Sequence, residues 1–506
     1  MDETVRTSRD FIYKQQKELS VIGGIGALLG WDQMTYMPPK GAADRSEHNA
    51  LLSLLSHERV VSDEFWKHIT ALHEPASFET LSPEDQAVVK RLYDDVEKSR
   101  KIPSSFVEKM AKKTTLSYQF WEAARKKNDF KIFSPHLSDI VELEKEYCGY
   151  IGLPGPLYDT LLDDYEEGMT TKRLTEEFSY LKSALSKLVD KIVATDVFEK
   201  QKDPDIKVDA DMQKLLCKKV LEVMKMPDDS FRMDTSTHPF TISLGYDDVR
   251  ITTNFERKNP LFSFFSTVHE AGHALYELSM PQNAYKDTVI SDSPSLGLHE
   301  SQSRFWENMV SRSKPFWEYF YPLFKKTASQ YFQSIGFDEW YGSVNQVRPS
   351  LIRVEADELT YCLHVILRFE LESGLMQDRI DVNELPELWN EKMDKLLGVT
   401  PSNDVEGVLQ DMHWSGGSIG YFPTYAIGSI YASQLFQQLM TDQPQTLSEI
   451  QQGNMKNIIS WLRTHVHKYG RLMTADEIIQ KTCGVGLNAK GFVGYLTDKY
   501  SEIYGF

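Results

Sequence analysis

Cysteine is scarce in this chain: 506 residues carry four, Cys148, Cys217, Cys362 and Cys483, none in Cys-x-x-Cys spacing. That excludes a disulfide-stapled framework and a thiolate-ligated zinc site. Long apolar runs are missing too. The longest, Val21–Gly30, has ten residues, four of them glycine, whereas a bilayer-spanning helix needs roughly 20. There is no surplus of positive charge: 56 Lys and Arg face 74 Asp and Glu, for a net charge of −18. Such a balance argues against a protein that tracks nucleic-acid phosphates. The stretch Met1–Lys14 lacks the basic-then-apolar order of an export signal. These absences lead to the expectation of a soluble cytoplasmic protein with neither membrane nor nucleic-acid partner.

What is present is helix-forming pattern. Hydrophobic residues make up 41% of the chain and aromatics 12%, enough for a large core. In Thr175–Lys200, Phe178, Leu181, Leu185, Leu188, Ile192 and Val193 recur at helical spacing with acids and lysines between them. Ser82 with Asp85 three residues later reads as a helix start. Prolines separate the helical segments, and no fixed-period repeat or long linker divides the chain, so one helical unit is expected. His238–Glu256 breaks the pattern. There "TISL", a glycine-bearing turn and "VRITTNF" read as two short strands directly before another helix.

That helix carries "HEAGH". His269 and His273 are four residues apart and share one helical face. Two imidazoles so placed reach a single Zn²⁺ at about 2.0–2.1 Å each. A catalytic site needs a third protein ligand and an open position. Glu300 lies 27 residues after His273, room for one helix to end, a loop to turn and a second helix to return. Its alternative role is an acid favoured by a helix N-terminus; neighbouring His299 reads as a surface residue or an outer partner. Glu270, directly after His269, is placed to take a proton from a water at the metal rather than to bind the metal itself.

Taken together, the motifs resemble the carboxypeptidase Taq family of thermostable metallocarboxypeptidases. The matching stretches are Trp31–Pro39, "HPF" at His238–Phe240, "DVRIT" at Asp248–Thr252, "HEAGH", and "HESQSR" at His299–Arg304. "IRVEAD" at Ile352–Asp357 and Gln410–Tyr425 complete the series, in the family's order over nearly the whole chain. Met34 departs from the family pattern, outside the metal site. The resemblance implies a mainly α, two-lobed peptidase with a deep groove and a small β-sheet beside the HExxH helix. It implies one domain over residues 1–506 whose N-terminal helices cover the groove, and a homodimer. The implied activity is a broad-specificity carboxypeptidase releasing C-terminal amino acids one at a time, with one Zn²⁺ (or Co²⁺) per chain held by His269, His273 and Glu300 and with Glu270 as general base.

Further roles follow from what such an enzyme must do. A free C-terminal carboxylate is met bidentately by an arginine fork. Arg353 is the first choice and Arg348 the second, unless either pairs with Glu355, Asp357 or Glu358. The developing oxyanion needs donors. His413 and Tyr421 resemble those of related zinc peptidases, with Tyr425 as the alternative and His238 of the "HPF" motif as a further substrate contact. Asp248 and Arg250 share one face of a strand; the resemblance implies that this face holds the peptide's distal end, and the alternative is an ion pair within the sheet. Two other readings stand beside this one, an endo- or dipeptidyl-acting zinc peptidase and an inactive zinc-bearing scaffold.

Overall fold

The computed structural model describes residues 2–201, 206–281, 285–332 and 334–506. The fold is mainly α. Helix α1 (Glu3–Thr35) is followed by α2 (Ala42–Val60), α3 (Asp63–His73) and α4 (Pro83–Lys101). The side chain of Ser82 caps α4 by accepting from the Asp85 N–H, so the start read from the sequence is the observed one. The expected Thr175–Lys200 helix is α5 (Thr171–Val193) plus a short helix Asp196–Lys200. Thr195 separates them by capping the second with its hydroxyl. In α5 the apolar residues Phe178, Leu181, Leu185, Leu188 and Ile192 are buried as their spacing demands, whereas Val193, read with them, is exposed at the end of the helix.

The sheet has three strands, β1 (Phe231–Thr235), β2 (Thr241–Gly245) and β3 (Asp248–Thr253), in the order β1-β3-β2. The two expected strands are β2 and β3, paired antiparallel; β1 joins β3 in parallel. On β3, Val249 and Ile251 are buried on one face while Asp248 and Arg250 share the other. Among the described residues β2 is an edge strand, irregular between Ser243 and Gly245. One residue in the glycine-rich part of α1, Gly24, has its reason here. A Cβ on Gly24 would stand 2.6 Å from the Leu244 carbonyl oxygen, so only glycine lets α1 pack this closely on β2.

The remaining elements that build the site are α6 (Pro260–Glu277), α7 (Leu296–Arg304), α8 (Tyr361–Met376) and α9 (Pro423–Asp442). Their apolar faces join one large core. A second, smaller core lies among α1, α3 and α4, built on Ile12, Phe65, Ile69, Leu72, Val88 and Leu92. No helix among the described residues is long and apolar enough to cross a membrane.

Candidate metal centre and active site

Helix α6 begins at Pro260, a residue suited to the first turn because it lacks an N–H, and the Asn259 side chain accepts from the Phe262 N–H. Phe264 packs among Phe316, Trp317, Phe320 and Phe324, which fixes the rotation of α6. Helix α7 is capped by the Ser295 hydroxyl, which accepts from Leu298 N–H, while the buried Glu166 accepts from Gly297 N–H at 3.0 Å. Glycine lets the two helices meet. A Cβ on Gly272 would lie 2.8 Å from the Ser303 Cα, and one on Gly428 of α9 would lie 2.7 Å from the Glu300 Cγ. Glu300 is thus seated from two sides.

The result is a cluster of three ligand types. Donor atoms of His269, His273 and Glu300 all lie within 4.8 Å of one another. Glu300 Oε2 is 3.6 Å from His269 Nε2 and 3.4 Å from His273 Nε2. These separations are long for hydrogen bonds and match the edge of about 3.3 Å that ligands at 2.0–2.1 Å from a tetrahedral ion would share. The outer contacts leave the same atoms facing inward. His269 donates from Nδ1 to Glu307 at 2.9 Å, which turns its Nε2 toward Glu300. The donor set therefore fits a divalent metal such as Zn²⁺ or Co²⁺.

Charges around the cluster are arranged to keep it in the ligand state. Burial pushes the Glu300 carboxyl up, but Arg304 and the histidines outweigh it and hold it well below the usual range. Arg304 Nε donates to Glu300 Oε1 at 2.7 Å and its guanidinium lies 4.3 Å from the Tyr361 ring. Burial and then His299 lower His273 to about 4, keeping it neutral. His299 stacks on His273 with ring centroids 4.5 Å apart and donates to Glu277 at 2.8 Å, so it stands beside the cluster rather than in it. Glu270 is raised by burial, against the pull of His269 and of Thr241, whose hydroxyl donates to its carboxylate at 2.5 Å.

An aromatic and cationic wall continues from Arg304. Tyr361, Tyr425, Tyr421 and His413 follow one another with ring centroids 6.0, 5.3 and 5.4 Å apart. Burial, with Arg353 and Arg368 beyond it, lowers His413 to about 4 despite Asp411, so its imidazole is neutral at pH 7. Arg353 is 5% exposed and already engaged. Its Nε and Nη2 donate to Asp411 Oδ1, at 3.2 and 2.8 Å, and its Nη1 donates to Tyr361. Its acidic partner is Asp411 rather than Glu355, Asp357 or Glu358. Arg348 is exposed and its Nη2 donates to Gln346. His238 is exposed in the β1–β2 loop, where its carbonyl accepts from Ser236. Asp248 and Arg250 form a two-bond ion pair at 2.7 Å, and the Arg250 guanidinium lies 4.4 Å from the Trp31 ring of α1.

Several contributors escaped sequence reasoning. Glu307 lies in a π-helical turn, Phe305–Val310, that directly continues α7. The wider turn is invisible to a 3.6-residue pattern, though such turns recur at functional sites. Thr241 had no signal beyond lying at the start of a strand.

Comparison with known proteins decides what this arrangement belongs to. Residues 11–500 match the family model described as "Carboxypeptidase Taq (M32) metallopeptidase". The chain belongs to the M32 family. It is 36% identical over 498 residues to carboxypeptidase 1 of Bacillus subtilis, covering 96% of this chain and 97% of that relative. Thermostable carboxypeptidase 1 of Pyrococcus furiosus is also 36% identical, with 97% of each chain covered. The crystal structure of an M32 carboxypeptidase from Deinococcus radiodurans superposes with a TM-score of 0.95 at 34% identity, covering 99% of this chain and 100% of that one. As a member of the M32 family with its His–His–Glu cluster in place, the protein is a metal-dependent carboxypeptidase.

Proposed function

We propose that the protein uses one Zn²⁺, held by His269, His273 and Glu300, to release single amino acids from the C-termini of peptides. The observation that carries this is the cluster itself: three donors converging within 4.8 Å, with Glu270 on the same helix turn and outside the donor set. A bound metal ion would polarise the scissile carbonyl and acidify a water molecule. Glu270 takes the proton from the attacking water and returns it to the leaving amine. Thr241 holds that carboxylate in place. Neutral His413 and the Tyr421 hydroxyl donate to the oxygen on which charge develops, with Tyr425 behind Tyr421.

Arg353 is the proposed contact for the substrate's carboxylate. Its three bonds to Asp411 and Tyr361 fix the fork yet use only three of its five N–H donors. Arg348 is the alternative from the exposed side. Asp248 and Arg250 are assigned the far end of the peptide, with His238 at the neighbouring loop. The chain acts as one domain whose N-terminal helices cover the groove, as a cytoplasmic homodimer.

The test uses a blocked peptide with a free C-terminus and its amidated twin, given to metal-stripped enzyme reloaded with Zn²⁺ or Co²⁺. Release of free amino acid from the first substrate alone is expected. Equal cleavage of both points to an endopeptidase, and cleavage of neither to a scaffold.

A further inference from the structure

Helix α8 faces the segment that carries His413 and Tyr421, and two of its buried side chains one turn apart hold that segment at both ends. Arg368 grips the near end, with Nε 2.6 Å from Asp411 Oδ2 and Nη2 2.9 Å from Gln410 Oε1. Glu372, wholly buried, grips the far end. Its Oε1 accepts from the Trp414 indole N–H at 2.7 Å, and its Oε2 accepts from the Gly420 N–H at 3.0 Å and from the Tyr158 hydroxyl at 2.7 Å. Gly420, directly before Tyr421, has φ +89°, and a Cβ there would press on Leu161 at 3.0 Å. The chain therefore reverses in a left-handed conformation, and its N–H meets Glu372.

We propose that Glu372 is a positioning residue for the hydrolysis, its carboxylate fixing the 414–420 loop so that His413 and Tyr421 stand where the oxyanion forms. This rests on the donor roles assigned to His413 and Tyr421. The chemistry of the contacts supports it. All three partners are donors, so only a group with acceptors on both oxygens satisfies them. A carboxamide of the same shape sets an NH₂ against at least one N–H or O–H. Burying a carboxylate is costly unless it is well bonded. Here burial drives it up to about 7 even with its three donors. An apolar side chain would fill the space without that cost but would leave the Gly420 and Trp414 N–H groups unpaired and the loop unanchored.

The test is a mutant cycle in the metal-loaded full-length enzyme: Glu372→Gln alone, and Glu372→Gln in a His413→Ala/Tyr421→Phe background. Metal content, thermal midpoint and the Trp414 indole N–H resonance are measured in parallel. Misplacement of catalytic donors by about an ångström costs up to about a hundredfold. Glu372→Gln alone is therefore expected to lower kcat about 10–100-fold with KM within about twofold. It should keep about one metal per chain and shift the Trp414 resonance. In the double-variant background the same change should lower kcat by less than about threefold, because the donors it positions are gone. Equal losses in both backgrounds, or an unchanged kcat in the single variant, overturn the proposal. If Glu372→Gln does not fold, Trp414→Phe removes one anchor and runs through the same cycle, with an expected loss of about 3–10-fold. Should His413→Ala/Tyr421→Phe itself leave kcat intact, the donor assignment falls and the positioning role falls with it. If those donors matter and Glu372→Gln does not, only the positioning role falls.

Discussion

Gly272 faces Ser303 across the contact of α6 and α7, so closely that a Cβ would lie 2.8 Å from the Ser303 Cα and 2.7 Å from the Gln302 carbonyl oxygen. Backbone cannot step aside as a flexible side chain can. Gly272→Ala should therefore push α7, and Glu300 with it, away from the two histidines. Alanine improves helix propensity by about 1 kcal/mol, but overpacking at such a contact costs about 1–3 kcal/mol. The expected outcome is a lower thermal midpoint and a metal affinity weakened at least about tenfold, as for a disturbed supporting shell. Competition against a graded chelator measures it. Unchanged affinity would show that this contact does not set the position of Glu300.

Glu270→Gln should keep about one metal ion per chain while lowering kcat by about a hundredfold or more, since general base catalysis contributes about 10²–10⁴. The residue sits between the imidazoles in sequence but bonds to Thr241 rather than joining the cluster. Metal analysis alongside turnover separates the roles. A loss of activity that only tracks a loss of metal would make Glu270 structural.

Glu300→Ala should weaken metal binding far more than His299→Ala. Glu300 Oε2 lies between the two Nε2 atoms, whereas His299 stacks on the outer side of His273 and bonds to Glu277. Removing an outer partner costs about 10–100-fold in affinity, and loss of one of three protein ligands exceeds that. Chelator titration of the two variants gives the order directly. Affinity in Glu300→Ala equal to that of the unmodified protein would remove Glu300 from the ligand set.

How much of this was legible in the sequence differs by kind of interaction. The spacing of His269 and His273, the Ser82 cap and all of the α5 stripe but Val193 are local features, and they appear as read. Strand β1 was missed because Phe231–Thr235 is only five residues long, so the alternation of Phe231 and Met233 with Arg232 and Asp234 is brief, and its parallel pairing is to a later strand. The same holds for the site. Nothing near Arg353 in sequence announces Asp411, 58 residues away, as its partner. Nothing in Val21–Gly30 says that Gly24 makes room for a strand more than 200 residues later. Long-range contacts of this kind are fixed by tertiary packing, which local patterns do not encode.

Stability should depend on pH through Glu144. Burial, and then Asp164, push its carboxyl up to about 8, against about 4.3 in an unfolded chain. Between those values the folded protein keeps a proton that the unfolded chain has released. Stability therefore falls as pH rises through that window, by at most about 1.4 kcal/mol per pH unit for one group. Below about pH 4.3 both states are protonated and the effect is fully present. Glu144→Gln imitates the neutral acid at every pH. Its thermal midpoint should match that of the unmodified protein near pH 4 and exceed it by about 1–3 °C at pH 8. A constant offset across the range would point to packing instead.

Arg250 is fixed between the sheet and α1. Its guanidinium is bound twice by Asp248, both bonds at 2.7 Å, and lies 4.4 Å from the Trp31 ring, with Arg232 of β1 5.0 Å from the same ring. The pair uses Nε and Nη2 and leaves Nη1 outside it, on a side chain that is 14% exposed. An arginine so fixed can meet the distal end of a peptide without losing further side-chain freedom. A charge-assisted hydrogen bond contributes about 1.5–3 kcal/mol, so Arg250→Ala should lower kcat/KM about tenfold to a hundredfold for peptides long enough to reach it. Shorter peptides should lose little. An arginine that only holds α1 to the sheet through Trp31 predicts a different pattern: equal losses at every length and a lower thermal midpoint. The measurement is kcat/KM over peptides of increasing length with identical C-terminal residues, with melting followed in the same preparations. Uniform losses across that series would assign Arg250 to the fold rather than to the substrate.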